Sequence, residues 1–266
     1  MASPNPSNYT SKLHDARVLV IGGTSGIGFG IAEALLEHNA SVIISSSSEE
    51  RVSNAVQRLK STNPAGEGRI QGIVCNLASP TTVEAEVRNL FSQISPGGKL
   101  DHIIYTAGDT LAIGKFENFS LQQIQQAGMV RFFGPLIVAQ QLREHLREGP
   151  ASSFIMTTGG LSQRPRRDWT VIMSYLTGLE GMCRGLARDL APRRVNLVGP
   201  GPVETELWGS HRETGDLEEL KASIAGTMAT GKFGEVEDVV EAYLYLMKDQ
   251  NTTGSMVYTN GGGLLI

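Results

Sequence analysis

The stretch VLVIGGTSGIGFGIAEALLEHNA, residues 18–40, constrains the fold more than any other part of this chain. A short Val/Ile run enters Gly22, Gly26 and Gly28, and a segment of helical character follows at once. Gly22 suits a tight turn, Gly26 lets the backbone approach a bound anion, and Gly28 lets helix and sheet pack closely. The first turn of such a helix presents unpaired N–H groups to a phosphate. A glycine-rich turn without a ligand is the competing reading, and the strand before and helix after argue against it.

The rest of the chain repeats this rhythm. RVLVI (17–21), SVIIS (41–45), IQGIVC (70–75), DHIIY (101–105), SFIMT (153–157), RVNLV (194–198) and SMVYT (255–259) read as short buried strands. Helical spacing lies between them. Leu176, Leu179, Cys183, Leu186 and Leu190 fall at steps of three or four. Alternating strand and helix implies an α/β fold: one doubly wound Rossmann domain of about seven parallel strands with helices on both faces. The polar arm 1–12 lacks an apolar signal region, leaving 13–266 as the domain. Two segments beyond strand ends, 159–169 and 199–225, are candidate pocket walls, the second a substrate lid.

A formal charge of −4 without clustered Lys/Arg argues against nucleic acid as a partner. No run reaches the ~18 apolar residues of a membrane span, so a cytoplasmic protein acting on a small molecule is expected. Cys75 and Cys183 sit in apolar stretches and read as buried thiols. No His/Cys/Asp cluster has metal spacing, so no metal is expected. The NYT and NFS sequons carry no weight without a signal peptide.

A dinucleotide is the ligand such a cradle takes, and the end of the second strand selects which. An acid there would hold ribose hydroxyls; this chain has SSSSEER, residues 45–51. Ser46, Ser47 and Ser48 with Arg51 suit a 2′-phosphate, pointing to NADP(H). The alternative is that the serines merely satisfy a turn. Glu49 and Glu50 fall where a helix begins and acids are favoured.

These segments resemble the short-chain dehydrogenase/reductase family along nearly the whole chain. GGTSGIG resembles its Gly-rich loop, YTAG (105–108) its Asn-Asn-Ala-Gly segment, and RRVNLVGPGPVETEL (193–207) the segment bordering the nicotinamide. The resemblance implies that Gly22, Thr24, Ser25, Gly26, Ile27 and Gly28 surround the phosphates. Asn76 and Leu77 would border the adenine, Ala107 and Gly108 the ribose, and Pro200, Gly201, Val203 and Thr205 the nicotinamide. It further implies a homodimer or homotetramer pairing through helices near 120–145 and 173–190.

The family's Asn-Ser-Tyr-Lys tetrad falls on Arg131, Gly159, Ile172 and Leu176. No lysine lies between Lys115 and Lys221, and Tyr175 is followed four residues later by Leu179. A tyrosine of pKa near 10 must drop about three units to act at neutrality, ~4 kcal/mol that the lysine supplies. A positioned general acid is worth ~10²–10⁴ in rate. Ile172 and Leu176 provide neither. Three functions remain: hydride delivery to an already electrophilic substrate such as an iminium, a non-redox cyclisation with the nucleotide as scaffold, or a nucleotide-binding pseudoenzyme.

YTAGD, MVRFFGPL, TTG and DWTVIMSYLTGLEGM are similar to a fungal subgroup without the Tyr/Lys pair. It includes the indole-alkaloid reductase/Diels–Alderases of the paraherquamide and malbrancheamide pathways, in secondary metabolism. That likeness implies pocket roles for Arg131 and Trp169 and for an aspartate shortly before the tryptophan. Here residue 166 is Arg and the nearest acid is Asp168. Arg131, Asp168, Trp169 and Thr158 are therefore the candidate catalytic residues. Asp109 is a second candidate carboxylate; Trp208, Ser162 and His211 are candidate pocket residues.

Overall fold

The computed structural model describes residues 9–164, 166–206 and 215–266. Strands β1 (Arg17–Ile21), β2 (Ser41–Ser46), β3 (Ile70–Val74), β4 (His102–Tyr105), β5 (Ser153–Thr157), β6 (Arg194–Pro200) and β7 (Met256–Thr259) form one sheet. Its order is β3-β2-β1-β4-β5-β6-β7, with every pairing parallel. Each strand overlaps its expected segment. β6 runs two residues further than expected, because Thr259 and the Gly201 N–H extend the ladder with β7. Gly199 and Pro200 therefore belong to the sheet rather than to a lid.

Period-two alternation sends side chains to two cores. Leu19, Ile21, Ile43, Ile103, Tyr105, Phe154 and Met156 lie in one, and Val18, Val20, Val42, Ile44, Ile104 and Ile155 in the other. Against the first pack α3 (Val83–Ile94), α5 (Gly134–Ala139) and α7 (Thr170–Asp189), and against the second α1 (Gly26–Glu37) and α2 (Glu49–Thr62). A further helix on that second face, Val236–Lys248, contributes Val239, Val240, Tyr243 and Leu246. Full burial of each such aliphatic chain favours folding by ~1.5–3 kcal/mol, so both faces are firmly held. Leu13 is already part of the second core. Cys75 and Cys183 are buried and unbridged, and burial pushes both thiols up to about 12.

Residues 120–145 do not form one helix. α4 (Leu121–Gly128) passes into a π-turn at Met129–Phe133, then α5, then α6 (Leu142–His145). Pro135 supplies the reason, since it has no N–H for the ladder. Among the described residues no helix is long and apolar enough to cross a membrane.

Candidate active site

The strand order reverses between β1 and β4, so the loops leaving these two strands open a crevice at the sheet's carboxyl end. Gly22 takes φ +91°, and a Cβ there would stand 2.5 Å from the Ala107 nitrogen, so the two loops touch backbone to backbone. At Gly28 a Cβ would lie 2.5 Å from Thr106 Oγ1 and press on the Gly22 carbonyl. Ser25 is extended and caps α1 with no side-chain bond. The Gly26 N–H instead donates to Glu206 Oε2 at 2.8 Å. A carboxylate thus occupies the anion seat at the helix start, and a phosphate oxygen has the same chemistry. The cradle fits a pyrophosphate. Thr24 is buried in the loop, and Ile27 packs against the second core.

At the end of β2, Arg51 Nη2 donates to Ser47 Oγ at 3.0 Å, and Ser48 Oγ caps α2 by accepting from the Arg51 N–H. Arg51 is therefore held by two hydroxyl-bearing residues, Ser47 and Ser48, just past Ser46 at the end of β2. Asn76 Oδ1 accepts from the Ala78 N–H at 3.0 Å, fixing the turn after β3, and Leu77 is buried beside it. Beyond β6, Gly201 is pressed on Asn260, Val203 bridges Gly234, and Thr205 lies over Gly26. Lys221 in α8 (Leu217–Ala225) ties to Glu204 at 2.6 Å, anchoring the described part of the 199–225 segment.

Arg131 rises from the π-turn. Its guanidinium lies flat on Gly108, where a Cβ would meet Nη1 at 2.6 Å. Its Nη2 donates to the Asp109 carbonyl, and its Nε stands 3.4 Å from Asp109 Oδ1. That pair is an ion contact without hydrogen-bond geometry, since neither Nε nor Oδ1 finds a hydrogen-bond partner. Burial lowers the Arg131 pKa, opposed by Asp109, and burial raises that of Asp109, opposed by Arg131. Both shifts have the same origin: desolvation outweighs a loose ion pair.

The acid at Arg131 is thus Asp109. Asp168 is exposed at φ +66°, and its carbonyl accepts from the Gly114 N–H at 2.8 Å, joining two loops. Trp169 begins α7, half-buried against the first core, with Arg166 over its ring. Thr158 is buried and donates from Oγ1 to the Leu176 carbonyl at 2.8 Å. Ile172 and Leu176 are only 1% and 6% exposed, within the first core, with Gly159 against Leu176. Tyr175 donates to the Ile124 carbonyl at 2.9 Å, packs between Phe132 and Phe133, and has its pKa raised by burial. It is no activated phenol. Trp208, His211 and the Ser162 side chain lie outside the described residues.

Sequence reasoning did not find Glu206 on the cradle or the loop-to-loop tie at Gly114. The Gly-Pro after MVRFF was a readable signal for the π-turn. The family profile described as SDR-like Rossmann domain matches residues 9–266. The short-chain dehydrogenase/reductase fsr5 of Gibberella fujikuroi is 55% identical, over 97% of this chain and 97% of its own. The solved structure of the MalC Reductase/Diels-Alderase from Malbranchea aurantiaca superposes with a TM-score of 0.90 at 35% identity, covering 97% of this chain and 99% of that one. A small-chain dehydrogenase in complex with NADPH follows at TM-score 0.76 and 25% identity, covering 94% and 99%. Cradle, strand order and matching relatives agree: this chain belongs to the short-chain dehydrogenase/reductase family.

Proposed function

We propose that this protein is an NADPH-dependent reductase of secondary metabolism acting on an iminium or similarly activated substrate, with a tetrad that has lost its proton relay. One observation carries the reading. The family's Tyr and Lys positions fall on Ile172 and Leu176, which are buried in apolar packing with Thr158 bonded to the Leu176 carbonyl. Held in the cradle, NADPH would supply the hydride; an iminium carbon can accept it as its C=N π pair moves to nitrogen, which leaves a neutral amine and NADP+. No proton is consumed, so no acid is required. Gly22, Gly26 and Gly28 seat the phosphates, and Ser47 with Arg51 takes the 2′-phosphate. Asp109 offsets Arg131, so a cationic substrate meets a carboxylate as well as a guanidinium. Trp169 offers a flat apolar face at the rim, and Asp168 a second carboxylate beside it.

The experiment is NADPH consumption with N-methyl-3,4-dihydroisoquinolinium as probe and ethyl acetoacetate as neutral control. Turnover of the iminium is expected, with at least ~100-fold slower ketone reduction, since the missing acid is worth ~10²–10⁴. NADP+ should not substitute. The rate should also stay within about threefold between pH 6.5 and 9, because no general acid titrates there. Comparable ketone turnover, or a bell-shaped profile centred in that range, defeats the reading. Replacing Arg51 with Ala should weaken NADPH about tenfold, the lower end for an exposed charge-assisted contact, and leave NADH unchanged. Equal losses for both nucleotides would remove Arg51 from 2′-phosphate recognition.

A non-redox cyclisation with the nucleotide as scaffold is the second reading, favoured by the name of the MalC relative, which joins reductase and Diels-Alderase. It predicts cyclised product with NADP+ as well as with NADPH.

A further inference from the structure

The π-turn that carries Arg131 leaves one backbone acceptor stranded. In a regular helix the Val130 carbonyl would accept from the Gly134 N–H. Here the Gly134 N–H bonds to the Met129 carbonyl, one residue further back. The i+5 position that could serve Val130 within a π-turn is Pro135, which has no N–H. A buried carbonyl left unpaired is costly, so something must supply a donor. Tyr105, the last residue of β4, does so: its hydroxyl donates to the Val130 oxygen from the middle of the first core.

The neighbours are built around that bond. Tyr105 is 2% exposed, and burial pushes its phenol pKa well above the ordinary value, so the hydroxyl stays a donor at working pH. Gly134 is the residue facing the hydroxyl: a Cβ there would collide with Tyr105 Oη. The same β4 strand continues into Gly108 and Asp109, the two residues that receive the Arg131 guanidinium. One short piece of chain thus fixes both ends of the arrangement. It pins the backbone beside Arg131 through Tyr105 and receives the Arg131 head group three and four residues later.

We propose that Tyr105 is a positioning residue, whose hydroxyl fills the carbonyl stranded by the π-turn and Pro135 and thereby holds Arg131 against Gly108 and Asp109. The geometric half stands on the contacts above; its consequence for turnover rests on the role given to Arg131 under Proposed function. A small displacement of a charged group beside the reacting atoms is enough to cost one or two orders of magnitude in rate.

The test has a structural and a kinetic arm. Protein labelled with 15N at arginine Nε should show one slowly exchanging Nε–H signal from Arg131, identified by its loss in Arg131→Ala. In Tyr105→Phe that signal should merge with those of exposed arginines. Gly134→Ala should do the same by pushing the hydroxyl off Val130. Combining Gly134→Ala with Tyr105→Phe should be no worse than Tyr105→Phe alone, because the new methyl then meets no hydroxyl. An unchanged signal in Tyr105→Phe overturns the proposal. In turnover of N-methyl-3,4-dihydroisoquinolinium, Tyr105→Phe should lower kcat about tenfold, with the affinity for NADPH preserved. The same change in the Arg131→Ala background should have no further effect. An equal loss in both backgrounds overturns the proposal by showing a generic packing role. A displaced signal with unchanged kcat upholds the positioning and instead refutes the catalytic role given to Arg131.

Discussion

Gly28→Ala is expected to weaken NADPH binding by about 100-fold, equivalent to ~2.7 kcal/mol. The added methyl would stand 2.5 Å from Thr106 Oγ1 and 2.9 Å from the Gly22 carbonyl carbon. The Gly22 atoms are backbone at a turn held at φ +91°, so no rotamer change relieves the clash. Either α1 moves away from the loop or the loop moves away from β4, and each separates the Gly26 N–H from the phosphate it should meet. Fluorescence titration of NADPH measures the loss directly. The thermal stabilisation given by a fixed concentration of nucleotide should shrink with it, since that gain follows preferential binding to the folded state. Gly181→Ala is the control. It lies inside α7 with nothing within 4 Å of its would-be Cβ, so binding should be intact and stability unchanged or slightly raised. Binding by Gly28→Ala within threefold of the parent would mean that the cradle is not where nucleotide sits.

How much of this was legible beforehand depended on the range of the interaction involved. The seven strands could be read because each is a short run carrying Val or Ile, and the five between the edges, β2, β1, β4, β5 and β6, are buried along nearly all their length. The cradle could be read because its glycines serve local geometry, a turn and a helix start within seven residues. Ser47 and Arg51 lie four apart across a strand end and helix cap, and they pair as the local spacing suggests. The Arg131 partner was harder. Asp109 and Asp168 are both acids near pocket walls, and only the path of the loop after β4 brings Asp109 to the guanidinium. Glu206 on the Gly26 N–H spans 180 residues, and no local pattern announces it. The break at 129–133 was legible in principle, because Gly134-Pro135 stops the ladder. What takes up the stranded carbonyl was not, since Tyr105 reaches it from another strand.

The loss of Tyr and Lys proposed at Ile172 and Leu176 has a consequence for stability as well as for chemistry. Leu176→Lys, which would restore the lysine of the tetrad under that proposal, is expected to destabilise the nucleotide-free protein by ~3 kcal/mol or more. Leu176 is 6% exposed, shares the first core with Ile172, Met173 and Leu179, and has Gly159 against its side chain. The Thr158 hydroxyl beside this turn of the helix has already committed its proton to the Leu176 carbonyl. An ammonium there loses water and gains no carboxylate, so its pKa in the folded state must fall below the ordinary ~10.4. The sign of the pH dependence follows. Between the depressed folded value and 10.4 the unfolded chain binds more protons than the folded one, so stability rises with pH in that window. Urea midpoints should therefore show the variant well below the parent at pH 7 and the gap narrowing toward pH 10. The narrowing amounts to about 1.4 kcal/mol for each unit by which the folded pKa is lowered within that window. Loss of stability that is the same at both pH values would point to a steric cause. No loss at all would mean that a lysine finds a ready partner at this position, and the apolar wall on which the proposed iminium reading stands would no longer support it.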